Sequence, residues 1–304
     1  LDSMALLRIQ PDVITCSSAI SVCEKGGHWQ VALAMFGIMS NLRVMPNVIS
    51  CSAAISACEK GGRWQQAMSI LDTMTDLRIT PDVISCNSAI SACQKEGHWE
   101  LALAVLNGMT RLWITPDVIS CSAVISVCEK AGRWQLAGTM LDTMAALQIA
   151  PDVISCNSVI CACEKFGCWQ AALATLKTMT GLHLTPNVIS YNSAISACEK
   201  GGRWQLVLAM IEGMTELQVM PDVISYDSAF CACDIGGRWE LTLALLGRMG
   251  ELQVTPDIIN YETAISVCEK VGRLRFVLAM LSNMTRLQVA CLPASADAML
   301  LQRH

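Results

Sequence analysis

The chain has 304 residues, 53% of them hydrophobic and 15% charged, with a net charge of −5. That apolar balance excludes a disordered chain, and the acidic sum works against a surface-wide attraction to phosphates. No apolar run reaches the roughly 18 residues of a membrane-spanning helix, because Lys, Arg, Asp or Gly interrupts each one.

The opening stretch, residues 1–12, lines up with residues 71–82. It reads as the end of a truncated preceding repeat, and the chain as a fragment of a longer array. No signal or transit segment is visible in it. From there prolines recur every 35 residues, at Pro11, Pro46, Pro81, Pro116, Pro151, Pro186, Pro221 and Pro256. A fixed period of about 20–50 residues is the mark of a solenoid or array. Residues 13–257 then hold seven complete repeats. Residues 258–292 hold an eighth that decays, with Cys291 where Pro is expected. Residues 293–304 form a tail that caps the array or frays.

Places within a repeat are counted from the residue after Pro-Asp or Pro-Asn. Pro bars a helix from running through and pushes its predecessor extended. The third place is Thr15, Ser50, Ser85, Ser120, Ser155, Ser190, Ser225 or Asn260. All are strong N-cap types, so a first helix is expected to start there. Its apolar places are the fourth, seventh, eighth and eleventh, as in Cys86, Ala89, Ile90 and Cys93, the stripe of an amphipathic helix. Lys near its end suits the helix dipole. Gly27, Gly62, Gly97, Gly132, Gly167, Gly202, Gly237 and Gly272 then fit a left-handed cap and a tight turn.

A second helix is expected from Trp29, Trp64, Trp99, Trp134, Trp169, Trp204 and Trp239, with Leu274 in the eighth repeat. Each carries a Met, from Met39 to Met284. These Trp and Met rows read as packing between helices, since Trp covers a large area and Met fills irregular gaps. Trp113 lies off the row and reads as a loop-side residue. One such hairpin cannot bury its apolar face alone, but a stack can.

Of the 17 cysteines, eight share the eleventh place and five the fourth, where Tyr191, Tyr226 and Tyr261 stand later. A place that accepts Cys or Tyr is a packing place. Zinc spacing of the Cys-x-x-Cys kind is absent, and Cys161/Cys163 and Cys231/Cys233 are two apart, pointing to different helix faces. Buried thiols then act as small hydrophobes, and so many free thiols suit a reducing compartment. His28 and His98 sit where other repeats carry Arg and read as surface substitutions; His183 and His304 are isolated. No catalytic residue, metal ligand set, cofactor motif or small-molecule substrate site is expected.

Lines such as Val188-Ile189-Ser190-Tyr191-Asn192-Ser193-Ala194-Ile195-Ser196-Ala197-Cys198-Glu199-Lys200-Gly201-Gly202-Arg203-Trp204, closed by Pro221-Asp222, resemble the pentatricopeptide repeat. The tetratricopeptide repeat fits less well: it has 34 residues and its Trp lies in the first helix. The resemblance covers nearly the whole chain. It implies an all-α, right-handed superhelical solenoid that binds single-stranded RNA, one base per repeat. By it, the fifth and last residues of a repeat read the base. These pairs are Ser17 with Asn47, Ser52 with Asp82, Asn87 with Asp117, Ser122 with Asp152, Asn157 with Asn187, Asn192 with Asp222, and Asp227 with Asp257. The first six imply the site AGUGCU. The two carboxylates of the seventh match no common combination, nor does Glu262 with Leu292.

The same resemblance gives base stacking to the second place: Ile14, Ile49, Ile84, Ile119, Ile154, Ile189 and Ile224. It gives phosphate contact to the thirteenth: Lys25, Lys60, Lys95, Lys130, Lys165 and Lys200, a row broken by Ile235. Blander readings stand beside these. Asp and Asn also start helices well, an apolar residue before a cap also staples its own helix, and Lys also suits any solvated helix end. Acidic neighbours such as Glu24 and Glu59 weaken the Lys row. The resemblance further implies a mitochondrial or plastid setting, a role in RNA processing, stability, editing or translation, and other RNA-processing proteins as partners. The editing members' zinc-deaminase signature is absent, and no enzyme or membrane role is expected. A scaffold whose groove takes a protein or peptide is the alternative.

Overall fold

The computed structural model describes residues 11–273, 275–277 and 280. Those residues form helices, turns and loops only. Hairpins follow one another along the chain: α1 (Val13–Lys25) with α2 (Trp29–Asn41), α3 (Val48–Gly61) with α4 (Trp64–Asp76), α5 (Val83–Ala92) with α6 (Trp99–Arg111), and α7 (Val118–Lys130) with α8 (Trp134–Ala146). Then come α9 (Val153–Lys165), α10 (Trp169–Gly181), α11 (Val188–Lys200), α12 (Trp204–Glu216), α13 (Val223–Ile235), α14 (Trp239–Glu251) and α15 (Ile258–Lys270). The chain divides into two compact units between Ala162 and Cys163, within α9. In the first unit α1, α3, α5 and α7 lie side by side in that order; in the second, α11, α13 and α15 do. The expected decay of the eighth repeat toward Leu292, its Leu274 and the tail 293–304 lie outside the described residues, as do residues 1–10.

The first helices begin earlier than the third-place serines suggested. The N-cap is the Asp or Asn after Pro. Asp82 is extended (φ −101°) and its Oδ1 accepts the Ser85 N–H at 2.8 Å. Ser85 is therefore the third residue of the helix, not its cap. At Asn47, Asp117, Asn187, Asp222 and Asp257 the bond is returned, the third-place side chain accepting the cap's own N–H. The reason is cooperative. Asp and Asn cap as well as Ser does, and each residue added to an existing helix gains a backbone bond, so the helix starts from the earliest competent cap.

The expected apolar stripe is buried. Cys86, Ala89, Ile90 and Cys93 are at most 3% exposed, and the tenth place (Ala57, Ala92, Val127, Ala197, Ala232) joins them. In the first unit Cys51, Ile55 and Cys58 pack with Ala67, Ile70 and Met74 of the neighbouring second helix, with Trp29 and Trp64 flanking them. In the second unit Ala264 and Cys268 pack with Val277 and Met280 against Trp239. Burial pushes the thiols of Cys51, Cys58, Cys86, Cys93, Cys128, Cys156, Cys198 and Cys233 up to about 11. They stay protonated and pack as small apolar groups.

The turn glycines Gly27 to Gly272 all have φ between 63° and 73°, where a side chain would be strained. The second helices end differently, on a left-handed residue that is not Gly: Arg43, Arg78, Trp113, Gln148, His183, Gln218 or Gln253. The next N–H reaches back across the turn, as from Val44 to the Met39 carbonyl at 2.9 Å. This turn carries Trp113 into solvent, 94% exposed.

Candidate functional site

Burying the fourth, seventh, eighth and eleventh places leaves the second, fifth and ninth on the opposite stripe of each first helix. The second-place isoleucines are large apolar groups in solvent: Ile14, Ile49, Ile84, Ile119, Ile154, Ile189 and Ile224 are all at least 60% exposed. They do not staple their own helices. Between Ile14 and Ile49 lies an open hollow of about 340 Å³, lined also by Ser17, Ser21, Lys25 and Asn47. In the second unit a hollow of about 240 Å³ lies between Ile189 and Ile224, with Asn192, Ser193 and Glu164 in its wall.

The fifth-place side chain and the following cap meet directly. Ser17 Oγ donates to Asn47 Oδ1 at 3.3 Å, and Ser52 Oγ to Asp82 Oδ1 at 3.2 Å. Asn87 Nδ2 donates to Asp117 Oδ1 at 3.2 Å, and Asn192 Nδ2 to Asp222 Oδ1 at 3.0 Å. Asn157 and Asn187 hold the same places in α9 and before α11, as Ser122 and Asp152 do in α7 and before α9. The last-place residues are thus helix caps and partners of the fifth place at once. Burial pushes the Asp117 carboxyl up, but the backbone N–H of Ser120 and the Asn87 amide are among the donors that outweigh it and hold the group below the usual range.

The seventh pair differs. Asp227 has no amide hydrogen to give Asp257; instead it accepts one from Asn260 Nδ2. Its carboxyl is pushed up, chiefly by burial and then by the charge of Asp257.

The thirteenth-place lysines are exposed, but several are engaged by an acid one repeat back. Lys60 Nζ lies 2.5 Å from Glu24, Lys200 3.3 Å from Glu164, and Lys270 2.6 Å from Asp234. Lys130 lies 3.9 Å from Glu129, and Lys165 has a partner of its own. Lys25 and Lys95 make no ion pair among the described residues. No group of three metal-ligating side chains comes together among the described residues.

A pentatricopeptide repeat domain profile matches residues 1–61 and 139–201, a second profile of the PPR repeat family matches 81–130, and a third matches 49–79 and 189–219. Together they span well over half of the chain. The chain belongs to the pentatricopeptide repeat family. No curated protein matches it. Among solved structures it is similar to the pentatricopeptide repeat protein PPR10 from maize, at 24% identity and a TM-score of 0.68, over 91% of this chain and 40% of that one. The chain therefore spans about two fifths of PPR10. PPR10 is also known in complex with an 18-nt psaJ RNA element, matched at 23% identity and a TM-score of 0.50 over 92% and 39% of the two chains. A nuclear proteinaceous RNase P 2 from A. thaliana matches at 12% identity and a TM-score of 0.54, over 60% of this chain and 42% of that one. These likenesses are of fold: an all-α solenoid of helix–turn–helix repeats.

Two features of this pentatricopeptide repeat chain escaped the sequence reading. One is a stacked edge. Arg63 lies over the Trp29 ring at 4.5 Å and Arg133 over Trp99 at 5.0 Å. Arg203, Arg238 and Arg273 lie over Trp169, Trp204 and Trp239 at 4.8–4.9 Å. His98 substitutes for the Arg of other repeats: its ring lies tilted against Trp64, 4.2 Å between centroids, and its Nε2 lies 3.0 Å from Glu96. The recurring Arg-Trp dipeptide was the available signal. The other is the third place of the following repeat, which touches the fifth. Its signal was slight: Asn260, the one exception to the Ser/Thr series, follows the one Asp at a fifth place of the seven complete repeats.

Proposed function

We propose that this chain binds single-stranded RNA in an extended form along its first helices, one base per repeat. Each base sits between successive second-place isoleucines, as between Ile14 and Ile49. Its edge is read by the fifth-place residue and the following cap, and Lys25 to Lys200 approach the phosphates. The family's pairing rules give AGUGCU for the first six repeats. What carries the reading is the hollow itself: two exposed isoleucines flanking a polar pair, repeated along the chain. Apolar side chains in solvent at every repeat have no folding role to explain them, whereas a base offers two flat faces and a hydrogen-bonding edge. An organellar role in RNA processing, stability, editing or translation belongs to the same reading and rests on family membership.

The ion pairs favour a second reading, a scaffold for a basic peptide. Lys60 and Lys200 are turned toward Glu24 and Glu164, so part of the positive row is cancelled.

Fluorescence anisotropy with AGUGCU RNA, a scrambled RNA and the matching DNA, across a salt series, separates them. Selective binding of the first, with a log–log salt slope of up to about −4 for six phosphate contacts, is expected. The slope is shallower to the extent that Lys–Glu pairs must open. Equal weak binding to all three leaves only electrostatics, and no binding at low salt sinks the RNA reading in favour of the scaffold.

A further inference from the structure

Five fifth-place side chains, Ser52, Asn87, Ser122, Asn192 and Asp227, touch the third-place residue of the following repeat. Ser120 Oγ lies 2.6 Å from Asn87 Oδ1, and Ser225 Oγ 2.5 Å from Asn192 Oδ1. Ser120 Oγ is also 2.9 Å from Asp117 Oδ1, yet a hydroxyl has one hydrogen to give. Asp117 Oδ1 already accepts the Ser120 N–H at 2.8 Å and the Asn87 amide. Asn87 Oδ1 has no other donor among the described residues, and two oxygens 2.6 Å apart without a hydrogen between them would repel. The hydrogen therefore goes to Asn87. Its amide is then fixed at both ends: oxygen toward Ser120, nitrogen toward Asp117.

An amide has two hydrogens and two lone pairs. With one of each used, one donor and one acceptor remain, in a set order. Turning the amide over reverses that order, and with it the base edge the side chain can match. At two fifth-place serines the contact persists, Ser52 with Ser85 and Ser122 with Ser155, both at 2.8 Å between Oγ atoms. Where the fifth place is Asp227, which can only accept, the third-place residue is Asn260, which donates. At this one pair both places depart together from the Ser or Asn and Ser of the other repeats. Ser85, Ser120, Ser155, Ser225 and Asn260 are all 0% exposed, so none of them can reach a ligand.

We infer that the buried third-place residue of each following repeat is a positioning and specificity-determining residue, setting which way the fifth-place side chain presents its donor and acceptor. This rests on the RNA reading above. It also means that a repeat's preference depends on three residues, one of them from its neighbour.

The test is Ser120→Ala, with Ser120→Thr as the variant that keeps the hydroxyl. Anisotropy is measured on AGUGCU and on AGCGCU, which changes only the nucleotide opposite Asn87. Side-chain amide resonances of Asn87 are followed by NMR in the same proteins. For Ser120→Ala we expect the preference for U over C at that nucleotide to fall about fivefold, the worth of one net hydrogen bond. The salt slope stays unchanged, the Asn87 amide signals move, and Ser120→Thr restores both. An equal loss on both RNAs, or unmoved amide signals, overturns the inference and leaves Ser120 a capping residue. If the wild-type chain binds neither RNA, the RNA reading fails and the base-selecting role with it, while the amide signals still decide whether Ser120 orients Asn87.

Discussion

Replacing Asp227 by Asn should stabilise the protein, and the gain should vanish in acid. In the third and sixth repeats the fifth-place Asn donates to the cap carboxylate, at 3.2 and 3.0 Å. In the seventh repeat a second carboxylate stands there, and its proton affinity is raised by burial and by Asp257. A carboxyl whose folded pKa lies above its ordinary 3.8 holds its proton longer in the fold than in the unfolded chain. Its contribution to stability is therefore greatest below 3.8 and is lost as pH rises through the folded pKa. Asp227→Asn keeps an acceptor for Asn260 and supplies the missing donor to Asp257. One such bond is worth about 1 kcal/mol net; relief of the half-solvated repulsion adds little, because water screens it. Urea unfolding at pH 7 and at pH 3.5, followed by far-UV circular dichroism, should show the variant about 1 kcal/mol more stable at pH 7 and no different at pH 3.5, where a protonated Asp227 donates as Asn does. Asn87→Asp should lose a similar amount in the other unit. A gain independent of pH, or none at pH 7, would refute the account of the seventh pair.

Ile84→Ser should leave the melting temperature within about 1 °C, because the side chain is 62% exposed, yet weaken RNA binding about tenfold if bases stack on it; melting curves and anisotropy on one preparation decide. Arg203→Ala should lose about 0.5–1 kcal/mol from its stack on Trp169, visible in urea unfolding and absent in a variant that already carries Trp169→Leu. Brief maleimide labelling at pH 8 with peptide mass spectrometry should modify half-buried thiols such as Cys23 and Cys168 and spare Cys51, Cys58 and Cys198, whose thiols are buried and shifted to about 11. Rapid labelling of Cys58 in the folded protein would contradict that core.

Much of this molecule is local in origin and so was written in the 35-residue period. Pro sets where a helix cannot run, Gly62 and its equivalents take a backbone angle that other residues resist, and apolar places at helical spacing select the face that must be buried. Those preferences act within a few residues, which is why helix pairs, turns and core stripe could be read before any coordinates. The helix start was misread because two adjacent strong caps compete, and only the finished helix decides that Asp82 rather than Ser85 takes the role. Contacts between repeats were beyond reach for a different reason. Ser120 and Asn87 are 33 residues apart in the chain, and the stacking of neighbouring first helices alone brings them to 2.6 Å. The same stacking places Glu24 against Lys60, so the acid that weakens a lysine lies one repeat back and not only beside it in the sequence. Periodicity dictates what each repeat is; the register between neighbouring repeats, set by side-chain packing, dictates which polar groups meet across them and in which orientation.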